Sequence, residues 1–252
     1  MTPMDFTVKE VVYPAGMHQT RHTHAHSNVT VIAGGELEEA AEGGVYRAIP
    51  SSVVLKAAAA EHEDRVGSGG AKALSIRFAR DSAYGRMLRD GAWMWIDTPD
   101  VVRRAIALQR AFAAADAVAS ERCAAALVEA VIACYQAPRC APEWIGKMRA
   151  ALDQRFDEPI RFDALARDFA LHPVYASRAF RRHVGMSMTE YVQSARLRDA
   201  RRQLATMPVT VTRVAMDSGF ADASHLCRTF SARFGLRPTE YRRMTRFSAF
   251  NA

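Results

Sequence analysis

The run Val214-Ala215-Met216-Asp217-Ser218-Gly219-Phe220-Ala221-Asp222-Ala223-Ser224-His225-Leu226 decides the fold of the C-terminal part. A short apolar-faced segment meets a glycine, and a second segment starts behind an aspartate. Glycine takes a positive φ without steric cost, and aspartate is a favoured helix N-cap. The pattern predicts helices over 211–218 and 222–234 joined by the turn Gly219-Phe220-Ala221. The same grammar occurs earlier in the chain. Arg178, Phe180, Gly185, Thr189, Glu190 and Tyr191 recur as Arg228, Phe230, Gly235, Thr239, Glu240 and Tyr241, at an offset of 50 residues. Upstream of the turn, Ala166, Asp168 and Ala170 recur as Ala215, Asp217 and Gly219 at an offset of 49. The slip falls in the turn, where length changes are tolerated. Two copies of one supersecondary unit are expected.

The first copy predicts a helix over 162–169 with Leu165, Ala166 and Phe169 on its apolar face, then the turn Ala170-Leu171-His172. Pro173 sits where a missing N–H costs nothing, at the start of a second helix ending at Gly185. That helix buries Ala176, Ala179 and Phe180 and exposes Val174, Ser177, Arg178, Arg181 and Arg182. The exposed face of the second copy carries Ala223, Ser224, Cys227 and Arg228. Between the copies, 189–204 reads as a helix with Tyr191, Ala195, Leu197, Ala200 and Leu204 as its apolar face. This is helix-turn-helix grammar, in which the second helix of each unit enters a major groove. A rigid helix between two such units would let one chain read two successive grooves, about 34 Å apart on B-DNA.

Charge agrees. Residues 1–141 hold 15 Lys+Arg and 16 Asp+Glu, a net of −1, whereas residues 142–252 hold 19 and 11, a net of +8. Of the 34 basic residues only Lys9, Lys56, Lys72 and Lys147 are lysines. An arginine-dominated basic segment suits a polyanion, because the guanidinium forks phosphates and guanine edges. Arginine-rich coding with abundant alanine is the plain alternative for the composition taken alone.

Residues 144–243 resemble the DNA-binding domain of AraC/XylS-type bacterial transcription regulators. The motifs that carry the resemblance are Leu165-Ala166-Arg167, 178–185, Arg196-Leu197-Arg198-Asp199-Ala200-Arg201, the opening run, Arg228-Thr229-Phe230 and 234–242. Met188 and Ala170 depart from the commoner proline and turn glycine of the pattern. The resemblance places base-reading residues at Val174, Ser177, Arg178 and Arg181, and at Ala223, Ser224, Cys227 and Arg228. Arg182, His225, Arg233 and Arg242 would contact phosphate, which positions without specifying. It also implies double-stranded DNA, RNA polymerase, a small-molecule or metal effector and a second copy of the chain as partners.

Residues 8–80 read as β-structure. Short apolar runs at 29–32, 53–55 and 74–78 alternate with the turn clusters Gly34-Gly35, Gly43-Gly44, Pro50-Ser51-Ser52 and 67–70. Five of eight histidines lie between residues 18 and 62. His22, His24 and His26 are spaced by two, which on a strand puts them on one face. With His62 from a later strand they could line an effector pocket or hold a divalent metal. The region resembles the cupin-like sensor barrel of the same regulators, with His22-Thr23-His24 and Pro50-Ser51-Ser52 as its motif remnants. An enzymatic cupin adds a glutamate shortly after its histidine pair, where this chain has Asn28, Val29 or Thr30. Turnover is therefore not expected and no cofactor is certain. The alternative is a cupin-type metalloenzyme fused to a DNA-binding domain. Trp93, Trp95 and Tyr84 either wall a pocket or pack in the core.

Two Ala-rich helices are expected over 100–117 and 120–136, with Thr98-Pro99-Asp100 at the entry. Their residues Val102, Ile106, Leu127, Val131 and Ile132 could form a dimer seam or bury against their own barrel. Cys123, Cys134, Cys140 and Cys227 show no CxxC pairing and read as reduced, mostly buried thiols. No run approaches a membrane span and no signal peptide is apparent, so a cytoplasmic protein is expected. The fold class expected is α+β multidomain. A cupin-like antiparallel β-barrel spans 1–80 and a helical linker or dimerisation segment 81–141. An all-α double helix-turn-helix domain follows over 142–246, with a tail at 247–252.

Overall fold

The computed structural model describes residues 6–42, 44–137 and 141–246; Cys140 and the tail 247–252 lie outside them. The chain divides into two compact units, residues 1–137 together with 233–252, and residues 138–232.

The first unit is built on seven antiparallel strands: β1 (Phe6–Tyr13), β2 (His18–His22), β3 (Ser27–Ala41), β4 (Gly44–Ala48), β5 (Val53–Lys56), β6 (His62–Phe78) and β7 (Trp93–Ile96). The order is β1-β6-β3-β5-β7, with β2 also on β6 and β4 also on β3. β3 and β6 are long and pair along most of their length, so they belong to two halves of a folded-over sheet. Gly34-Gly35 and 67–70, expected as turns, lie inside these strands. The register slips between Ile32 and Gly34 and again between Gly35 and Leu37. Such bulges bend a strand, and glycine marks them because backbones cross closely there. Gly35 has φ +81°, and a Cβ on it would stand 2.2 Å from the Gly70 carbonyl oxygen. The sheet also runs past residue 80, since β7 pairs with β5 from Val53↔Ile96 to Lys56↔Trp93.

Strand alternation gives the sheet two chemically different faces. Val29, Val31, Val53, Leu55, Leu74 and Ile76 point toward two helices, α1 (Pro99–Ala113) and α2 (Ala117–Gln136). Leu127, Val131 and Ile132 are in this core, and Val102 and Ile106 are 2% and 1% exposed. The five candidate seam residues are thus buried within their own chain. The opposite face carries Asn28, Thr30, Lys56, Trp93 and Trp95 and turns inward over the bend. Pro99 occupies the first turn of α1, but Thr98 makes no side-chain cap. Cys123, Cys134 and Cys227 are free and only partly buried; the first two pack at the margin of the sheet–helix core. In the same unit α9 (Pro238–Thr245) buries Tyr241, whose hydroxyl donates to the Pro50 carbonyl at 2.7 Å.

The second unit is helical. α3 (Glu143–Gln154) precedes α4 (Phe162–Asp168) and α5 (Pro173–Val184); α6 (Met188–Thr206) precedes α7 (Val211–Asp217) and α8 (Ala223–Phe234). The repeat is exact at the level of helices: seven residues then twelve in both copies. Both turns close with the same backbone bonds. Leu171 N–H donates to Ala166 O at 3.0 Å, and Phe220 N–H to Ala215 O at 2.8 Å. Ala166 and Ala215 are fully buried, as the close approach of the two helices requires. Asp222 accepts from His225 N–H at 2.7 Å as the cap of α8, while His172 Nδ1 accepts weakly from Val174 N–H at 3.3 Å.

The turn residue differs between copies. Gly219 has φ +76° and its Cα faces the Asp157 backbone, 2.7 Å from where a Cβ would stand. Its counterpart Ala170 has φ +54°. Non-glycine residues pay about 1 kcal/mol or more there. Ala170→Gly is expected to stabilise the helical unit by about 0.5–1 kcal/mol, whereas Gly219→Ala destabilises it by more than ~1 kcal/mol. Urea unfolding followed by circular dichroism checks both signs.

Candidate functional site

Two surfaces carry chemistry. The first is the outer face of α5 and α8. Ser177, Arg178, Arg181 and Arg182 are exposed, and Val174 and Tyr175 are 52% and 55% exposed at the first turn of α5. Beneath them Ala176 and Phe180 are fully buried against Leu165, Ala166, Met148 and Tyr191. Amphipathic spacing therefore turns one face of α5 into the core and leaves the other to solvent. On α8, Ser224 and Arg228 are exposed while Ala223 and Cys227 are half-buried. Leu226 and Phe230 anchor the helix from the inside.

α6 is anchored at both ends. Toward α3, Tyr191 Oη donates to Asp153 at 2.8 Å, Arg198 Nη2 donates to the same carboxylate at 2.8 Å, and Arg196 Nε donates to Phe156 O at 2.6 Å. Toward α7, Asp199 accepts from Ser218 Oγ at 2.9 Å and from Gln203 Nε2 at 2.7 Å, and Gln203 also donates to Ser218 at 3.2 Å. Ser187 and Glu190 form a reciprocal capping box at its start. Nineteen helical residues rise about 28 Å at 1.5 Å each. The expected phosphate contacts differ in setting. Arg182 is exposed, but Arg233 is half-buried, and the His225 ring lies edge-on to Phe220 with centroids 5.4 Å apart. Arg242 is half-buried, with Nε and Nη2 out of solvent and without a hydrogen-bond partner. Burial, aided by Arg246, lowers its pKa.

The second surface is the inward face of the folded sheet. β2 stops at His22, so His24 and His26 stand in the following loop and the expected common strand face does not form. His24 nevertheless turns in. Its ring centroid is 4.9 Å from His22 and 5.2 Å from His62, and His22 is 4.3 Å from His62. His26 is outside this trio, 5.5 Å from His24 alone. His62 is fully buried opposite His22 in the β2–β6 pairing. Burial, with the neighbouring cations and imidazoles, pushes both His24 and His62 down to about 4. Both are neutral near pH 7 and offer lone pairs. Burial and Arg77 also lower His26.

Sequence reasoning missed the charged floor of this face. Lys56 Nζ donates to Glu39 at 2.8 Å, with both side chains almost wholly buried, and lies 3.4 Å from His62 Nε2. Trp93 Nε1 donates to the other Glu39 oxygen. Asp64 sits directly across from Glu39 in the ladder, and burial, opposed by Lys56 and reinforced by Glu39, raises it to about 6. Burial alone would lower Lys56, but the carboxylates of Glu39 and Asp64 hold its pKa above the ordinary lysine value. A lone lysine ending the apolar run Val53-Val54-Leu55, and a glutamate on an alternating strand, were the available signals. Tyr46 of β4 stacks on Trp95 of β7 at 4.3 Å and 9°, closing the fold over this face. Trp93 and Trp95 thus face the interior, while Tyr84 packs with Phe78 in the helix-facing core. Two groups among the described residues could hold a metal ion, His22/His24/His62 and Glu39/His62/Asp64.

A family model described as a helix-turn-helix domain matches residues 165–244, the two repeats with α6 between them. The match places a helix-turn-helix domain in the C-terminal segment. Residues 90 in number align at 32% identity with an uncharacterised HTH-type transcriptional regulator, YpdC of Escherichia coli (strain K12), covering 36% of this chain and 32% of that protein. The HTH-type transcriptional activator RhaS of Escherichia fergusonii is 34% identical over 93 residues, 37% of this chain and 34% of its own length. The chain therefore matches about a third of the length of these curated relatives. The C-terminal domain of AraT, a response regulator from Geobacillus stearothermophilus, is 20% identical with a TM-score of 0.41, covering 43% of this chain and 91% of that one. The AraC-type resemblance read from the repeat motifs thus holds, as does an N-terminal antiparallel sheet followed by helices and a helix-turn-helix segment. Among the described residues no helix is long and apolar enough to cross a membrane.

The buried pair yields a prediction about the sheet unit. Removing one partner of a buried ion pair leaves an uncompensated charge, whereas replacing both by neutral groups of similar shape is close to neutral. Glu39→Ala is expected to cost about 3 kcal/mol or more. The double variant Glu39→Gln/Lys56→Met should recover most of that loss in the same denaturation measurement.

Proposed function

We propose that the protein is a sequence-specific DNA-binding transcription regulator that reads two successive major grooves with α5 and α8. One observation carries this reading. Two helix-turn-helix units of identical helix lengths are joined by one helix, packed on the first through Tyr191 against Phe180 and hydrogen-bonded to the second through Asp199 and Ser218, and each presents an arginine, Arg178 or Arg228, at the same place on its second helix. In this reading Val174, Ser177, Arg178 and Arg181 and then Ala223, Ser224, Cys227 and Arg228 face base edges. Arginine suits guanine O6/N7, and valine or alanine suits a thymine methyl. Arg182 holds phosphate, with His225, Arg233 and Arg242 as further contacts once side chains rearrange on DNA. The DNA-binding domain would be residues 142–246, and the net charge of +8 over 142–252 would neutralise phosphates and make affinity salt-dependent.

The sheet unit is the sensor. Its polar, aromatic-walled inner face suits a small effector or a metal ion, with His22 and His24 beside the buried His62 at one end. An effector shifts DNA affinity only by its differential affinity for two states of the protein. A homodimer working with RNA polymerase in the cytoplasm completes the reading, and the inner face serves binding, not turnover.

Selection of bound sites from fragmented genomic DNA tests it, at about 0.15 M salt, where screening is physiological. Wild type should enrich a motif with two blocks about 10 base pairs apart. Arg178→Ala and Arg228→Ala should each cost about 1–3 kcal/mol, one block each, with the other block intact. Recovery of no motif, or two variants that bind as wild type does, sinks the two-groove reading.

A further inference from the structure

We propose that Tyr175 is a further DNA contact of the first unit, whose hydroxyl donates to a backbone phosphate at the wall of the groove that α5 enters, and that Trp144 is the positioning residue that holds the phenol there. The inference rests on the reading of α5 as a recognition helix and adds to it an anchor that sets the first unit apart from the second.

Spacing along α5 puts Tyr175 on the side facing that wall. Ala176 and Phe180 are buried, and Val174, Ser177, Arg178 and Arg181 form the stripe read as facing base edges. Tyr175, Arg178 and Arg182 stand at i, i+3 and i+7 and share the adjoining stripe. A helix lying in the major groove turns its centre stripe to the bases and its flank to the sugar-phosphate wall. Arg182, on the same flank, is already read as a phosphate contact. Tyrosine is among the side chains that donate to phosphate and so fix register without carrying sequence information.

The setting of the ring is the stronger argument. Tyr175 is 55% exposed in the first turn of α5, the end of a recognition helix that meets DNA. An unsupported side chain there pays entropy when binding fixes its rotamer. Trp144, in the first turn of α3, packs against the core that holds Ile145, Met148, Ala176 and Phe180. Its ring centroid lies 6.1 Å from that of Tyr175, with the planes at 43°, a separation at which aromatic pairs attract. One side of the phenol thus rests on a residue anchored in the core, while the rest of it meets water.

The second unit solves the same position differently. Fifty residues on, the counterpart of Tyr175 is His225, half-buried and edge-on to Phe220 with centroids 5.4 Å apart. Phe220 stands in the turn, where the first unit has Leu171. The aromatic partner of the second unit therefore draws its ring back toward the turn, whereas Trp144 supports the Tyr175 ring from α3 and leaves it out. The two units grip DNA unequally, and the first carries the additional uncharged anchor.

Affinity of the full chain for its enriched site, measured across a range of salt concentrations, tests the contact. Tyr175→Phe keeps the ring and its contact with Trp144 and deletes only the donor. It should weaken binding about three- to tenfold, by the same factor on every sequence bound. The dependence of affinity on salt should stay as in wild type, because a hydroxyl releases no counterion from the phosphates. Arg182→Ala should instead flatten the salt slope by about 1. Trp144→Ala should weaken binding in wild type but add nothing to Tyr175→Phe, and Trp144→Phe should restore wild-type affinity. Tyr175 is exposed, so Tyr175→Phe keeps the test usable if Trp144→Ala fails to fold. A Tyr175→Phe variant that binds as tightly as wild type overturns the proposal. So does a loss confined to sites with one particular base, which would mean that a base edge is read. A motif that depends on Arg178 but is indifferent to Tyr175→Phe rejects this contact alone, and a wild type that enriches no motif removes the regulator reading and this contact together.

Discussion

The crossing of β3 and β6 at Gly35 and Gly70 is the constraint on which the sheet unit depends. The Gly70 carbonyl oxygen stands 2.2 Å from where a Gly35 Cβ would be, so a side chain there is excluded. Because the strands can cross so closely, both bend, and each serves two halves of the sheet. The bend faces Lys56 of one half toward Glu39 of the other and stacks Tyr46 on Trp95. A flat sheet of the same strands would expose those charges to water on one side. Folded over, it buries an ion pair that must stay matched, and it places His62 beside that pair. The histidine trio follows from the same geometry, since β2 pairs with the end of β6 that the bend carries inward.

The helical unit depends on a different device, used twice. A buried alanine, Ala166 or Ala215, accepts a backbone bond from five residues on, and the two helices of each unit are held at a fixed crossing. Packing then decides which face is free. Phe180 and Phe230 are fully buried, so the arginines two residues before them face outward. The exposed face is a consequence of the core. α6 ties α3 to the second copy through carboxylates, Asp153 and Asp199, that each accept from more than one donor. A shared acceptor of this kind fixes orientation more firmly than a single surface ion pair, which is worth little by itself.

The helical unit was largely legible in the sequence. Turn glycines, caps and 3.6-residue spacing act within a few residues, so the observed helices differ from the expected ones by a residue or so at their ends. The sheet was legible as strands but misread at its glycines. Gly34-Gly35 and 67–70 look like hairpin turns in a sequence, because bulges and turns ask the same of the backbone. Spacing by two predicts one strand face for His22, His24 and His26, but pairing to β6 ends at His22, and the loop brings His24 inward while leaving His26 aside.

The sequence by itself determined the duplicated unit, its turns, the faces of its helices and the concentration of arginine in the C-terminal part. Those depend on local periodicity and on residue chemistry, which the order of residues states directly. Only the tertiary structure decided that Glu39, Lys56 and Asp64 share one buried site, that the candidate seam of α1 and α2 is an internal core, and which histidines meet. Those contacts join residues far apart in the chain, and their partners are set by how strongly a sheet bends at two glycines. No pattern in the sequence records that angle, because it arises from close approach between two strands and not from either strand alone.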